Sequence, residues 1–261
     1  MTILVTNDDG IYAPGLWALA TELKKIASVT VVAPHRERSG VGTAVTLRRP
    51  LKVHQVSSPV DGVDAFSVEG TPGDCAIIGL GAILPDGGKM VVSGINQGAN
   101  LGNDVFISGT VSGALQGHFR HLPSLAISVA AREDARFDVA APLARLLARR
   151  MMEGVVPEGL FLNVNVPNLP LSQILGIRTA GLGQRGFVDL VREEAKGDDG
   201  TIYRIVRDFA LDGIPEGTDI WAVRNNYISL TPFFADITHP SSLAPLHDAA
   251  PLLYEELAAE S

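Results

Sequence analysis

From residue 3 to residue 167 the chain alternates short apolar runs with amphipathic stretches. Ile3 to Thr6 read as a buried strand, and Leu16, Leu19, Ala20, Leu23 and Ile26 follow at spacings of three and four, the period of a helix with one apolar face. Ser28 to Ala33 form a second β-rich run, so the order strand, helix, strand predicts a right-handed crossover and a parallel sheet. The runs LKVHQV and DAFSVEG between residues 50 and 70, around a Pro/Asp/Gly turn, predict a β-hairpin. Thr71-Pro72 supplies a cap and a first-turn proline for a helix over residues 74 to 84. Strands at Lys89 to Ser93, SLAISVA and LFLNVNVP then alternate with helices over residues 111 to 121 and 138 to 152. This is the pattern of a doubly wound, mostly parallel, Rossmann-like α/β sheet.

Beyond Pro167 the pattern changes. Charged and Gly-rich turns such as KGDDGT separate the runs TIYRIV and NYISLTP, and a helix is expected over residues 244 to 259, interrupted or kinked at Pro251. Residues 1–167 are therefore read as the α/β core carrying the site. Residues 168–261 are read as a β-rich extension and C-terminal arm that packs on the core or on another subunit.

A length of 261 residues suits one large domain with an appendage, and 46% hydrophobic with 19% charged residues describes a folding chain. The net charge of −8 excludes general attraction to a nucleic acid polymer or an acidic membrane, but leaves room for a small phosphorylated ligand beside a cation or backbone N–H groups. Neither a signal peptide nor a spanning helix is read, and the single Cys75 allows no internal disulfide, which together imply a cytoplasmic protein.

Ligands of open α/β sheets bind beyond the carboxyl ends of the strands, a rule that selects three polar loops and, beside them, Ser128. The first loop is Asn7-Asp8-Asp9-Gly10. Two adjacent carboxylates repel unless a cation lies between them, and hard oxygens suit Mg²⁺ or Mn²⁺; a capping or turn-closing role is the alternative for such a pair. The second, HRERSGVGTAVT, offers the Ser39 hydroxyl, with Arg36 and Arg38 read as solvated charge. The third, SGINQGANLGNDVFISGT, is long and rich in Gly and Asn. In it Asn96 offers a carbonyl oxygen to a cation, and Asn100 a hydrogen bond to phosphate or water. Ser108, Gly109 and Thr110 lie where a helix N-terminus holds an anion or is simply capped. His118 and His121, Cys75, Trp17 and Trp221, and Gly79-Leu80-Gly81 carry no comparable pattern.

With these residues in place the chain resembles the SurE family of stationary-phase survival proteins. The matching stretches are ILVTNDDGIYAPG, VVAPHRERSG, GTPGDC, SGINQGANLGNDVFISGTVSGALQG, FLNVNVP and NYISLTP, all in one order. The resemblance implies one divalent metal ion per subunit, Mg²⁺ or Mn²⁺, held by Asp8, Asp9, Ser39 and Asn96. Phosphate would be recognised by Asn100, Ser108, Gly109 and Thr110. It implies hydrolysis of nucleoside 5'- and 3'-monophosphates, with short polyphosphate as a further substrate. It also implies homodimers or tetramers built partly by exchange of a C-terminal segment. Ile107, Gln116 and Thr43 depart from the family's usual residues, whereas the four metal positions match it. The expected mechanism is attack by a metal-activated water, with Asp8 or Asp9 orienting it or accepting its proton. An aspartyl-phosphate route normally needs an acid two places after the nucleophile, where Asp8 is followed by Gly10; a nucleotide sensor without turnover is the non-enzymatic alternative.

Overall fold

A computed structural model describes residues 1–261 except 85, 132, 155, 156, 158, 159, 185, 186, 198, 199, 210–212 and 261. The described residues form eleven strands: β1 Thr2–Thr6, β2 Ser28–Pro34, β3 Val53–Val56, β4 Asp64–Val68, β5 Met90–Gln97, β6 Ser124–Ala130, β7 Phe161–Pro167, β8 Gly176–Thr179, β9 Phe187–Gly197, β10 Gly200–Phe209 and β11 Tyr227–Phe233. The helices are α1 Pro14–Leu23, α2 Pro72–Ile78, α3 Gly109–His118, α4 Ala140–Met152, α5 Asp219–Arg224 and α6 Pro240–Ala259.

Nine strands form one sheet in the order β3-β4-β2-β1-β5-β6-β7-β11-β8. Its centre, β4 through β7, is parallel, while β3 and β11 run antiparallel to β4 and β7. The chain builds outward from β1 to β2 and then crosses back to place β5 on the other side of β1. The carboxyl ends of β1 and β5 therefore flank a topological switch point, the place where the loops of such a sheet diverge and leave a crevice.

Alternation along the strands sorts the core into two faces. Ile3, Val5, Val29, Val31 and Val92 pack with Leu16, Leu19 and Leu23 of α1 and Ala144, Ala148 and Met151 of α4. Leu4, Val32 and Val91 pack with Cys75 and Ala76 of α2 and with Leu80. The stripes of α4 and α2 are made mostly of small residues, whereas that of α1 is leucine throughout.

Several sequence expectations are modified. The helix expected over residues 74 to 84 is α2, started by a Thr71/Asp74 capping box, followed by one π-helical turn at Gly79–Ile83. Strand β5 does not end at Ser93 but continues through Gln97, its register against β6 shifting between Ser93 and Asn96. Gly94 makes this possible, because a Cβ there would stand 2.3 Å from the Ile127 carbonyl oxygen. Asn96 consequently belongs to a strand end rather than to a loop. The sheet also continues past Pro167, since β11 and β8 are its last two strands.

Strands β9 and β10 form a separate antiparallel hairpin; of the KGDDGT turn expected between them, residues 198 and 199 lie outside the described residues. Helix α6 begins at Pro240 and contains Pro245 and Pro251. It buries none of its side chains and exposes Leu243, Leu246, Leu252, Leu253, Tyr254 and Leu257. No described helix is long and apolar enough to cross a membrane.

Candidate metal centre

The turn after β1 is closed by Asn7, whose side-chain nitrogen donates to the Gly10 carbonyl at 2.9 Å while its oxygen accepts from the Gly10 N–H at 3.2 Å. Gly10 has φ +99°, and a Cβ on it would lie 3.0 Å from the Arg36 carbonyl carbon, so only glycine lets the second loop come this near. That loop is tied down at both ends. The Arg38 N–H donates to the Asp8 carbonyl at 2.7 Å, and the Gly42 N–H donates to the Ile107 carbonyl at 2.8 Å. Thr46 binds both oxygens of Asp74 on α2, through its N–H at 2.8 Å and its hydroxyl at 2.7 Å.

Asp8 is buried, and the Thr110 hydroxyl, on the first turn of α3, donates to its Oδ1. Asp9 is half-buried and accepts the Gln97 N–H on Oδ2 at 3.1 Å, which joins the end of β1 to the end of β5. Burial raises the Asp8 carboxyl above its ordinary range against the opposing pull of the Thr110 hydroxyl, with a smaller upward push from Glu37. Asp9 is pushed up to about 7, first by burial and then by the charge of Asp8 beside it. Among the described residues no Lys, Arg or His lies within ion-pairing distance of Asp8, Asp9 or Glu37.

A cleft of about 480 Å³ opens against this corner, lined by Asp9, Glu37, Ser39 and Gln97 on its polar side and by Tyr12, Ala13, Pro14, Gly15 and Phe137 on the other. Asp9 and Ser39 thus share a wall. The Ser39 hydroxyl donates to Glu37 Oε1 at 2.7 Å, leaving its lone pairs for a cation. Asn96 sits one residue before Gln97 and donates from its side-chain nitrogen to the Gly98 carbonyl at 2.6 Å, so the side-chain oxygen is the atom it offers. Among the described residues no group of three or more His, Cys, Asp or Glu is arranged to hold a metal. The four expected ligands are of another kind, two carboxylates with a hydroxyl and an amide oxygen, hard oxygen donors whose chemistry suits Mg²⁺ or Mn²⁺ rather than a thiolate- or imidazole-binding ion; of the four, Asp9 and Ser39 line the cleft.

The phosphate candidates divide. Gly109 lies directly against Asp8: a Cβ on it would be 2.7 Å from Asp8 Cβ and 3.0 Å from Pro72 Cγ. Ser108 caps α3, its Oγ accepting the Val111 N–H at 3.1 Å. Thr110 is committed to Asp8. Asn100 does not line the cleft; it is held over β6 and β7 by Ser128, Asn163 and Asn165. Tyr12, Glu37, Phe137 and these two asparagines were not signalled by the sequence pattern. Glu37 hid in a charged run, and Phe137 reaches the cleft from the segment between β6 and α4. The asparagine pair is visible only as two polar letters within the apolar run FLNVNVP.

With the geometry known, comparison with other proteins gives the ancestry. The family model for Survival protein SurE matches residues 3–189. The chain belongs to the SurE family. A protein of Dehalococcoides mccartyi strain CBDB1 named 5'-nucleotidase SurE is 46% identical over 235 residues, covering 88% of each chain. A second of the same name, from Alkalilimnicola ehrlichii, is 42% identical over 243 residues and 93% of each. The crystal structure of SurE from Aquifex aeolicus superimposes with a TM-score of 0.81 at 38% identity, covering 94% of this chain and 98% of the other. The share of this chain that superimposes is large enough to include residues beyond Pro167.

Proposed function

We propose that this SurE-family chain is a metal-dependent phosphatase that hydrolyses nucleoside 5'- and 3'-monophosphates to nucleoside and phosphate, and short polyphosphate to phosphate. The observation that carries the reading is the pair Asp8 and Asp9, desolvated side by side without a cationic partner among the described residues, with Asp9 in the wall of a cleft that Tyr12 and Phe137 also line. The names of its relatives support the substrate class.

Asp8, Asp9, Ser39 and Asn96 would hold one Mg²⁺ or Mn²⁺. Such an ion, when bound, supplies Lewis-acid activation of water and phosphate. Asp8, buried and bonded to Thr110, is the fixed ligand. Asp9 has one oxygen on the Gln97 N–H and stands in the cleft wall, which suits it to orient the attacking water and take its proton. The N-terminus of α3 at Ser108, Gly109 and Thr110 would present backbone N–H groups to the phosphate oxygens, and Asn100, outside the cleft lining, would reach them with the side-chain N–H that it does not give to Ser128. The nucleoside fits against Tyr12 and Phe137, since a base presents two apolar faces to an aromatic side chain.

Water rather than an aspartate is the nucleophile in this reading. Gly10 occupies the position that a second acid would need, and its conformation and crowding admit no side chain there. The chain is further expected to work as a dimer or tetramer, with the leucine-rich surface of α6 covered by another copy.

Phosphate release from a panel of nucleotides, with Mn²⁺ or Mg²⁺ and then with EDTA, tests the reading. Release that requires the metal and is abolished in Asp9→Asn supports it. Tight nucleotide binding without release from any substrate would make the chain a sensor and overturn it.

A further inference from the structure

Strand β7 is apolar except at Asn163 and Asn165, which lie on one face and are fully buried. A strand covered on both faces is served most simply by aliphatic residues, and a buried amide costs stability unless its hydrogen bonds are made. Asn163 does not meet that condition for itself, because its Oδ1 has no hydrogen-bond partner.

Both side chains are directed at one residue. The Asn163 and Asn165 side-chain nitrogens donate to the Asn100 carbonyl at 2.8 and 3.0 Å, and Asn165 Oδ1 accepts the Asn100 N–H at 2.8 Å. Asn165 thus pairs with the Asn100 backbone as a neighbouring strand would, although Asn100 lies in a loop. A fourth bond fixes the side chain, whose nitrogen donates to Ser128 Oγ at 2.8 Å. Ser128 is in register with Asn165 on one side and with Asn96 on the other, so a polar row crosses β5, β6 and β7 from a candidate cation ligand to this clamp. Two residues later the same loop is anchored again, by the Gly102 N–H on Asp219 Oδ2 at 2.8 Å.

We propose that Asn163, Asn165 and Ser128 are positioning residues that set Asn100, and through it the phosphate, relative to Asn96; this rests on the nucleotidase reading above. The clamp acts on the peptide of Asn100 and not on substrate. Its purpose is orientation, since a misplacement of about 1 Å at a reacting group costs on the order of 10²-fold in rate.

The test compares wild type, Asn100→Ala, Asn165→Ala and the double variant. It measures kcat and KM with a nucleoside monophosphate and Mn²⁺, calorimetric binding of inorganic phosphate to the Mn²⁺-loaded chain, and Tm. Each single change is expected to lower kcat/KM and phosphate affinity by roughly 10²-fold. The double variant is expected to stay within about threefold of Asn100→Ala, because residues acting through one another are not additive. Losses in kcat/KM that multiply, or a fall in Tm with KM and phosphate affinity unchanged, would overturn the proposal. Should Asn165→Ala fail to fold, Asn163→Leu decides: it is expected to keep Tm within a few degrees and weaken phosphate binding about tenfold, and unchanged binding would defeat the clamp. If wild type releases no phosphate from any nucleotide, the enzymatic reading fails by itself, and the inorganic phosphate measurements still decide the role of the asparagines.

Discussion

Asn in place of Asp9 is expected to stabilise the EDTA-treated chain at pH 8. Asp9 is pushed from its ordinary 3.8 up to about 7 by burial and by Asp8, so the fold holds a proton there that the unfolded chain has lost. Between those values the folded state binds more protons, and stability falls as pH rises; below about 4 the contribution is absent, and above about 7 the penalty is complete. The full displacement corresponds to about 4 kcal/mol. Because the side chain is only half-buried, about 2 to 4 kcal/mol is expected, equivalent for a chain of this size to a Tm gain of roughly 5 to 15 °C. At pH 4 the gain shrinks below about 1 kcal/mol. Asn is the appropriate replacement because its side-chain oxygen can still accept the Gln97 N–H. Thermal melts of both proteins at pH 4 and pH 8, with EDTA and then with Mn²⁺, make the measurement. Mn²⁺ is expected to raise the Tm of wild type and not that of the variant. An equal gain at both pH values, or a lower Tm for the variant at pH 8, would refute the argument that a desolvated charge is the cost the cation relieves.

Gly109→Ala introduces a Cβ 2.7 Å from Asp8 Cβ and 3.0 Å from the Pro72 ring, neither of which can swing away. A loss of about 1–3 kcal/mol and of at least ~10²-fold in kcat/KM is expected, whereas Gly81→Ala, which meets nothing within 4 Å, serves as the silent comparison. Thr110→Val removes the donor to Asp8 and is expected to cost about 1.5–3 kcal/mol in melts at pH 8 and to weaken Mn²⁺ binding measured by calorimetry. Phe137→Ala is expected to raise KM for nucleoside monophosphates about tenfold, and to leave KM for glycerol phosphate unchanged; equal effects on both would remove the base from that wall. Removal of residues 240–261 is expected to lower the sedimentation coefficient by dissociating the assembly, and an unchanged coefficient per mass would exclude α6 from the interface.

How much of this was legible beforehand varies by residue. Asp8, Asp9 and Ser39 were singled out because a strand, a turn and a polar loop are all written in consecutive letters, and the carboxyl-end rule sends such loops to one edge of the sheet. Asn96 was identified as a candidate ligand but assigned to a loop, because Gly94 looked like the end of a strand. Only the close approach of Ile127 shows that this glycine lets β5 continue. Glu37 was not singled out, because it stands between Arg36 and Arg38 in a run read as solvated charge; it is exposed, but it lines the same cleft as Asp9 and Ser39 and accepts the Ser39 hydroxyl.

The sequence by itself determined the elements, the α/β class and the presence of an acidic corner, since hydrophobic period and turn chemistry are properties of neighbours along the chain. It also determined that two adjacent carboxylates would need compensation wherever they lay. Only the tertiary structure decided that β5 returns beside β1, and so which loops meet. It likewise decided that Thr110 would reach Asp8 and that Asn163 and Asn165 would close on Asn100. Those pairings join residues 63 to 102 positions apart. A hydroxyl or amide looks the same in sequence whether it faces solvent, caps a helix or holds a ligand; its role is set by the partner that the packing of the sheet brings to it.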